Sequence, residues 1–233
     1  MELSQLQKKI LQAIDAASAS ILSVSHQIHA NPELGYQEVF ASHLLCETLE
    51  QFGFQVERNY VGIPTAFCAR KGGSQSPRVA FLAEYDALPE IGHACGHNII
   101  ATSALSAGIG LAAVIDQLDG EVWVIGTPAE ETDGAKVTMV QKGAFEGIDA
   151  ALMIHPHEGY YYCTESLALD AVEVEFFGKP SHAAAAPWEG INALDAMLMT
   201  FNSLNALRQQ VRPDARLHGV TVNGGAAPNI IPD

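Results

Sequence analysis

The chain has 233 residues, of which 48% are hydrophobic and 17% are charged, so it can bury a substantial core. Its 27 acidic and 12 basic residues give a formal net charge of -15. This charge argues against nucleic acid and anionic membranes as partners, because both carry negative phosphate groups. Four dispersed cysteines, with no CxxC pair and no signal-peptide pattern at the N-terminus, favour a reducing, cytoplasmic location.

Helices and strands alternate along the first two thirds of the chain. Apolar residues at helical spacing predict a helix over residues 4–29, and a second helix over about 38–52 follows the break at Pro32 and Gly35. Further on, the pattern predicts strands at 65–71, 78–86, 120–131 and 149–156, with helices at 98–118 and 134–145. Such alternation is typical of an α/β fold with a mainly parallel sheet and helices on both faces.

The pattern changes near residue 165. Residues 167–182 and 215–225 alternate like half-exposed strands, and residues 190–210 between them predict an amphipathic helix. We therefore expect two parts, residues 1–165 and an α+β module over 166–233. The second part ends directly after a predicted strand, so we expect this module to be incomplete.

Polar residues cluster at one edge of the predicted sheet. In an open α/β sheet, ligands bind beyond the carboxyl ends of the strands. Three predicted strand ends, and the start of the helix at 98–118, carry residues that can bind a metal or transfer a proton: Asp86, Cys95, His97, Glu130, Glu131 and His155. We expect these side chains to form one site.

A thiol, imidazoles and carboxylates together suit zinc or another late divalent ion better than calcium or magnesium. Of the adjacent Glu130 and Glu131, one can bind the metal while the other deprotonates a metal-activated water. Spacing alone does not assign these two roles. Asp86 can orient a ligand imidazole, or it can simply be a turn residue before Pro89.

A different enzymatic hypothesis makes Cys95 a nucleophile with His97 or His93 as its base. This hypothesis leaves the acidic pair at 130–131 without a role. The other histidines are interpreted as surface, loop or structural residues: His26, His29, His43, His157 and His182. The other cysteines are interpreted as buried small apolar residues: Cys46, Cys68 and Cys163.

Several segments, in order along nearly the whole chain, resemble a known family. They are "HANPELGYQE", "EYDALPEIGHACGHN", "GTPAEE", "MIHPH", "GKPSHAAAAPWEGINALDA" and "NGGAAPNIIPD". The pattern is similar to that of the aminoacylase and carboxypeptidase G family of binuclear metallopeptidases. It is most similar to the amidohydrolase branch that includes aminobenzoyl-glutamate hydrolases and dipeptidase-like proteins.

The resemblance implies a zinc-peptidase-like catalytic domain interrupted by a smaller lid domain that mediates homodimerisation. Matched position by position, it implies metal ligands at Cys95, His97, Glu131 and His155, with Glu130 as general base and Asp86 as a supporting residue. In relatives a lid histidine, matched by His182, reaches the partner subunit's active site and polarises the substrate carbonyl. Asn229 matches a lid position near the substrate.

The resemblance also implies a divalent cofactor, zinc or manganese, with two ions in a complete protein. Asn98 follows "CGH" where many relatives of the branch have Asp, which matches the aminobenzoyl-glutamate-like group. Family members continue beyond the lid and supply a last metal-binding histidine, so we expect the chain to be the N-terminal part of a longer protein or a truncated product. The expected function is metal-dependent hydrolysis of N-acyl amino acids or small dipeptides, and the alternative is a non-catalytic homologue that dimerises or binds a partner.

Overall fold

The computed structural model describes residues 4–73, 77–132, 134–162 and 167–233. The chain divides into two compact units, one up to Tyr160 and the other from Tyr161 onward, and each is described by itself. Within the described ranges, no helix has the length and apolar character needed to cross a membrane.

In its described residues, the first unit contains four α-helices and five strands. The helices are α1 (Gln5–Ala30), α2 (Val39–Gln51), α3 (His97–Ala112) and α4 (Ala135–Gln141). The strands are β1 (Gln55–Arg58), β2 (Phe67–Gly72), β3 (Arg78–Ala83), β4 (Glu121–Gly126) and β5 (Ala150–Leu152). All of the helices and strands predicted for this part form, although most are shorter than predicted, and β1 was not predicted.

The five strands form one mixed sheet in the order β1-β2-β4-β3-β5. Strand β3 lies between β4 and β5 and is parallel to both. Strands β1 and β2 continue the sheet as antiparallel neighbours of one another and of β4. The predicted α/β class is confirmed, and its parallel part consists of the three strands that precede the predicted site residues.

Alternate residues of the central strands face opposite sides of the sheet and form two cores. Val122 and Val124 of β4 pack in a core with α1, α2 and α3. Trp123 and Ile125 pack on the other side with Met139 of α4. The near-continuous apolar run of β4 is explained by this burial on both faces.

Helix α1 lies against α3 and so supports the start of the helix that carries His97. It begins at Ser4, whose side chain accepts a hydrogen bond from the Gln7 backbone N–H in a capping box. Farther along α1, the buried Asn98 amide donates to the Ser25 hydroxyl at 3.0 Å. Asn98 therefore joins two helices.

The second unit contains one regular helix in its described part, α5 (Ala193–Leu207), which begins at Asn192. The strands predicted at 167–182 and 215–225 were wrong: among the described residues, the first segment forms only the isolated bridges Lys179–Ile191 and His182–Ile230, and the second forms none. A strand requires a neighbour for its ladder hydrogen bonds, and the alternating apolar side chains of the first segment remain exposed instead of covering a core.

Candidate metal centre

The candidate site lies at the carboxyl ends of the three parallel strands. Glu84 and Asp86 follow β3, while Glu130 and Glu131 follow β4 and His155 follows β5. Because β3 lies between β4 and β5, their three connecting loops are neighbours. The N-terminus of α3 adds the last two groups, Cys95 and His97.

His97 is the centre of this cluster, and Asp86 fixes its ring. Both side chains are buried, and His97 Nδ1 lies 2.9 Å from Asp86 Oδ1. The other carboxylate oxygen of Asp86 accepts the backbone N–H of Glu131 at 2.9 Å. Burial alone would raise the pKa of Asp86, but the hydrogen bonds from His97 and Glu131 lower it below its usual value. Asp86 thus makes the contacts that its predicted role as an orienting group requires, and the role itself stays a prediction.

The other nitrogen of His97 faces acidic side chains. Its Nε2 is buried without a hydrogen-bond partner in the described part of the chain. It lies 3.6 Å from a Glu84 oxygen and 3.8 Å from an oxygen of each of Glu130 and Glu131. One oxygen of Glu84 and one of Glu131 are likewise buried without a hydrogen-bond partner among the described residues. Such unpaired buried groups are costly unless something binds between them.

Cys95 and His155 extend the cluster on its more exposed side. Cys95 Sγ lies 3.7 Å from His155 Nε2, and the His155 ring meets the His97 ring edge-on at a centroid distance of 6.1 Å. Gly96 allows this approach because its φ of +83° is unfavourable for other residues, and a Cβ there would lie 2.9 Å from Pro156 Cγ.

The two adjacent glutamates differ in their surroundings. The Glu131 side chain is 21% exposed, whereas that of Glu130 is 42% exposed. Burial, and then the nearby Glu84 carboxylate, raise the pKa of Glu130 above its usual value. A raised pKa is what a carboxylate needs to accept a proton and pass it on near neutral pH.

Glu84 was missed by sequence reasoning. It is almost fully buried, and Lys136 Nζ of α4 contacts its Oε1 atom. The available signal was its position two residues before Asp86, since alternate residues of an extended segment point the same way. Lys136 supplies one positive charge beside the three glutamates, so the cluster keeps an excess of negative charge.

These donor groups fit a divalent metal ion. The possible ligand atoms of Cys95, His97 and His155 all lie within 4.8 Å of one another, and so do those of Glu84, His97 and Glu130. Ligands that bind one zinc ion at about 2.0–2.3 Å are separated by roughly 3–4 Å, similar to the spacing around His97 Nε2. An ion there would pair the unpaired buried atoms and offset the excess negative charge.

The surroundings of Cys95 disfavour its role as a nucleophile. Burial, together with the hydrogen bond and charge of Glu131, raises the pKa of Cys95 to about 12 in the metal-free protein. A thiol of this kind stays protonated near neutral pH, whereas a metal ion would remove its proton. His93 is buried and stacks with His29 at a ring-centroid distance of 6.3 Å.

The two predicted lid residues are neighbours within the second unit. His182 is exposed, and its Nδ1 accepts the backbone N–H groups of Ala184 and Ala185, both at 3.2 Å. A neutral ring in this arrangement carries its proton on Nε2, as a group that polarises a carbonyl must. The Asn229 carbonyl accepts the Ala183 N–H at 3.0 Å and so lies beside His182.

The other predicted residues lie as follows. Cys46 and Cys68 are buried, as predicted, and Cys163 lies outside the described residues. His26, His29, His43 and His157 are exposed.

The fold and this cluster of acids, imidazoles and a thiol define the chain as an α/β protein with a candidate metal centre. The family model for peptidase family M20/M25/M40 matches residues 80–213, which is more than half of the chain. The chain therefore belongs to this peptidase family, and the family resemblance of its sequence segments is confirmed.

Individual relatives agree with this assignment. The chain is 41% identical to a Mus musculus Xaa-Arg dipeptidase and 34% identical to a p-aminobenzoyl-glutamate hydrolase subunit of Escherichia coli. These matches cover 99% and 98% of this chain but only 57% and 52% of the relatives. The chain thus spans a little over half the length of these two proteins.

A solved structure from Bacillus subtilis, described as a dinuclear metal-binding peptidase of the M20 family, is 27% identical with a TM-score of 0.53. The match covers 59% of this chain and 42% of that protein.

Proposed function

We propose that the protein is a metal-dependent amidohydrolase or peptidase that hydrolyses the amide bond of N-acyl amino acids or small dipeptides. One observation carries the proposal: the buried Nε2 of His97, which has no hydrogen-bond partner in the described part of the chain, faces three carboxylates, while Nδ1 is fixed by Asp86. Membership of peptidase family M20/M25/M40 supports the reaction class.

Cys95, His97, Glu131 and His155 are the proposed metal ligands, and Glu84 is a further candidate on the buried side. The proximity of Cys95, His97 and His155, and the unpartnered buried oxygens of Glu84 and Glu131, support this set. A bound divalent ion supplies Lewis-acid chemistry, because it lowers the pKa of water and polarises a carbonyl. Asp86 keeps the proton of His97 on Nδ1, so that Nε2 presents its lone pair to the ion.

Glu130 is the proposed general base. Its greater exposure than Glu131 supports this choice, and its raised pKa suits a group that takes up and releases a proton. Glu130 would accept a proton from the attacking water and deliver it to the leaving amine nitrogen, so that the amide C–N bond breaks after the new C–O bond has formed. In relatives the lid histidine matched by His182 acts in the active site of the partner subunit. In the same way, the proton-bearing Nε2 of His182 would donate a hydrogen bond to the carbonyl oxygen of a substrate bound by a partner, and Asn229 would lie near that substrate.

Dipeptides with a basic C-terminal residue are the first substrates to test. The mouse relative is described as an Xaa-Arg dipeptidase, and the E. coli relative as part of a p-aminobenzoyl-glutamate hydrolase. The net charge of -15 would attract a cationic dipeptide more strongly than an anionic one. Zinc or manganese as the ion, a homodimer formed through the second unit, and a cytoplasmic location stay predictions.

The test is an assay of purified protein with added zinc or manganese against Xaa-Arg dipeptides, p-aminobenzoyl-glutamate and N-acetyl amino acids. We expect turnover of at least one class, loss of turnover with a chelator, and recovery on adding metal. Full activity after chelation, combined with inhibition by a thiol alkylator, would favour Cys95 as nucleophile. Binding of a partner protein without turnover of any class would favour the non-catalytic alternative.

A further inference from the structure

A buried carboxylate outside the metal cluster contacts the loop that carries Glu130 and Glu131. Glu38 precedes the first residue of α2 and is fully buried. Its Oε1 accepts the backbone N–H of Ala129 at 2.7 Å, across 91 positions of sequence. The side chain does not cap its own helix, so its hydrogen bond serves the distant loop.

Ala129 has a strained backbone that requires such support. Its φ is +54°, in the left-handed region that non-glycine residues rarely adopt. The Ala129 carbonyl accepts the N–H groups of Gly134 and Ala135 at 3.0 and 3.3 Å. With Glu38 holding the N–H, both backbone polar groups of this buried residue are fixed immediately before Glu130.

The segment that contains Glu38 also contacts the loop that carries Asp86. The Glu33 carbonyl accepts the Ala87 N–H at 2.8 Å. Gly35 lies so close to the other loop that a Cβ would approach Thr132 Oγ1 to 2.3 Å and Ala129 Cα to 3.0 Å. Residues 33–38 therefore contact two loops whose side chains face His97.

Burying a carboxylate costs more desolvation free energy than burying a neutral acceptor that could make the same hydrogen bond to the Ala129 N–H. Burial raises the pKa of Glu38. The neighbouring groups that act on this pKa are backbone N–H groups, Thr65 and Asp86, and none of them is a cationic side chain. Charged side chains are rarely buried in a protein core, and the exceptions are found mainly at functional sites.

We propose that Glu38 is a positioning residue that fixes the Ala129 backbone and thereby sets the geometry of Glu130 and Glu131. This inference rests on the proposed function for its effect on turnover, but its effect on the loop can be measured without any substrate.

The experiment compares Glu38→Ala and Glu38→Gln with Glu33→Ala as a matched control. Glu33 lies on the same segment, and its carboxylate accepts the Phe40 and Ala41 N–H groups at 2.9 Å, both close to it in sequence. The readouts are hydrogen exchange of peptides covering residues 127–134, bound zinc or manganese, and kcat and KM. Exchange rates are compared after denaturant has been added to bring all of the proteins to the same free energy of global unfolding.

We expect Glu38→Ala to speed exchange of the loop at least ~10-fold and to lower kcat ~10–100-fold with KM changed less, because small displacements of catalytic groups cost that much. Glu38→Gln should recover most of both losses, since its amide oxygen can accept the same hydrogen bond. Glu33→Ala should leave loop exchange at the wild-type rate. If Glu38→Ala does not fold, Glu38→Gln is compared with Glu38→Asp instead. We expect the loop to stay protected from hydrogen exchange in Glu38→Gln and to lose this protection in Glu38→Asp.

Loop exchange and kcat in Glu38→Ala equal to those of Glu33→Ala would overturn the inference. So would a Glu38→Gln variant as impaired as Glu38→Ala. If the wild-type protein turns over none of the substrates, the proposed function fails, while loop exchange and metal content still decide the role of Glu38.

Discussion

The polar groups of the site form two layers, a supporting layer and a metal-facing layer, which differ in whether their buried atoms have hydrogen-bond partners. In the supporting layer, both carboxylate oxygens of Asp86 are hydrogen-bonded, to the His97 ring and to the Glu131 N–H, and Oε1 of Glu38 accepts the Ala129 N–H. In the metal-facing layer, His97 Nε2 and one oxygen of Glu131 are buried without a partner in the described part of the chain. The contrast is clearest between Asp86, which the chain itself satisfies, and the unpaired atoms around His97 Nε2, which a bound ligand would pair; Glu38 is intermediate, because its Oε2 is also buried without a partner among the described residues.

The largest expected effect belongs to the metal-facing layer. Glu130→Gln should keep bound metal yet lower kcat ~10²–10⁴-fold, because an amide cannot accept the proton. The check is steady-state kinetics together with elemental analysis of the same sample. Activity within a few-fold of wild type would place the base elsewhere, with Glu131 the first residue to test.

A change in the supporting layer should act on the metal through His97. Asp86→Ala removes the acceptor that orients the imidazole and should weaken metal binding ~10–100-fold. The measurement is a metal titration against a competing chelator. Glu57→Ala, which removes an exposed carboxylate paired with Arg70, is the control and should bind metal like wild type. Equal affinity in Asp86→Ala and Glu57→Ala would break the distinction between the layers.

The smallest effect is expected from packing between residues 33–38 and the 129–132 loop. Gly35→Ala forces a Cβ against Thr132 and Ala129 and should lower the free energy of unfolding by about 1–3 kcal/mol, as overpacking does. Gly134→Ala is an informative contrast, because its φ is +63° but a Cβ there would meet nothing within 4 Å. Urea unfolding of both variants gives the comparison, because Gly35→Ala introduces a steric contact with the loop whereas Gly134→Ala introduces backbone strain alone.

Sequence reasoning succeeded where strands are paired and buried. The runs at 78–86 and 120–131 have strong apolar patterns, and the strands they predict bring Asp86, Glu130 and Glu131 to one edge of the sheet. The alternating pattern at 167–182 is as regular, yet it forms no regular strand in the described residues. A pattern indicates which faces could be buried, but pairing depends on a neighbouring strand.

The missed residues show a second limit. Glu84 lies inside a strand-like run, and Glu38 is separated from Ala129 by 91 positions. Nothing in the local pattern distinguishes them from exposed acids, because their roles depend on contacts between distant segments. Position two residues before Asp86 was the one local signal for Glu84.

The most direct test of the metal-facing layer is the metal content of the folded chain. Wild type and a Cys95→Ala/His97→Ala double variant are each equilibrated with zinc or manganese, desalted and measured by elemental analysis, with His43→Ala as a control for an exposed histidine. Loss of a single ligand or its support typically costs ~10-fold or more in affinity, so we predict bound metal in wild type and His43→Ala and little in the double variant. Equal metal content in all three proteins would contradict the assignment of this cluster as a metal centre.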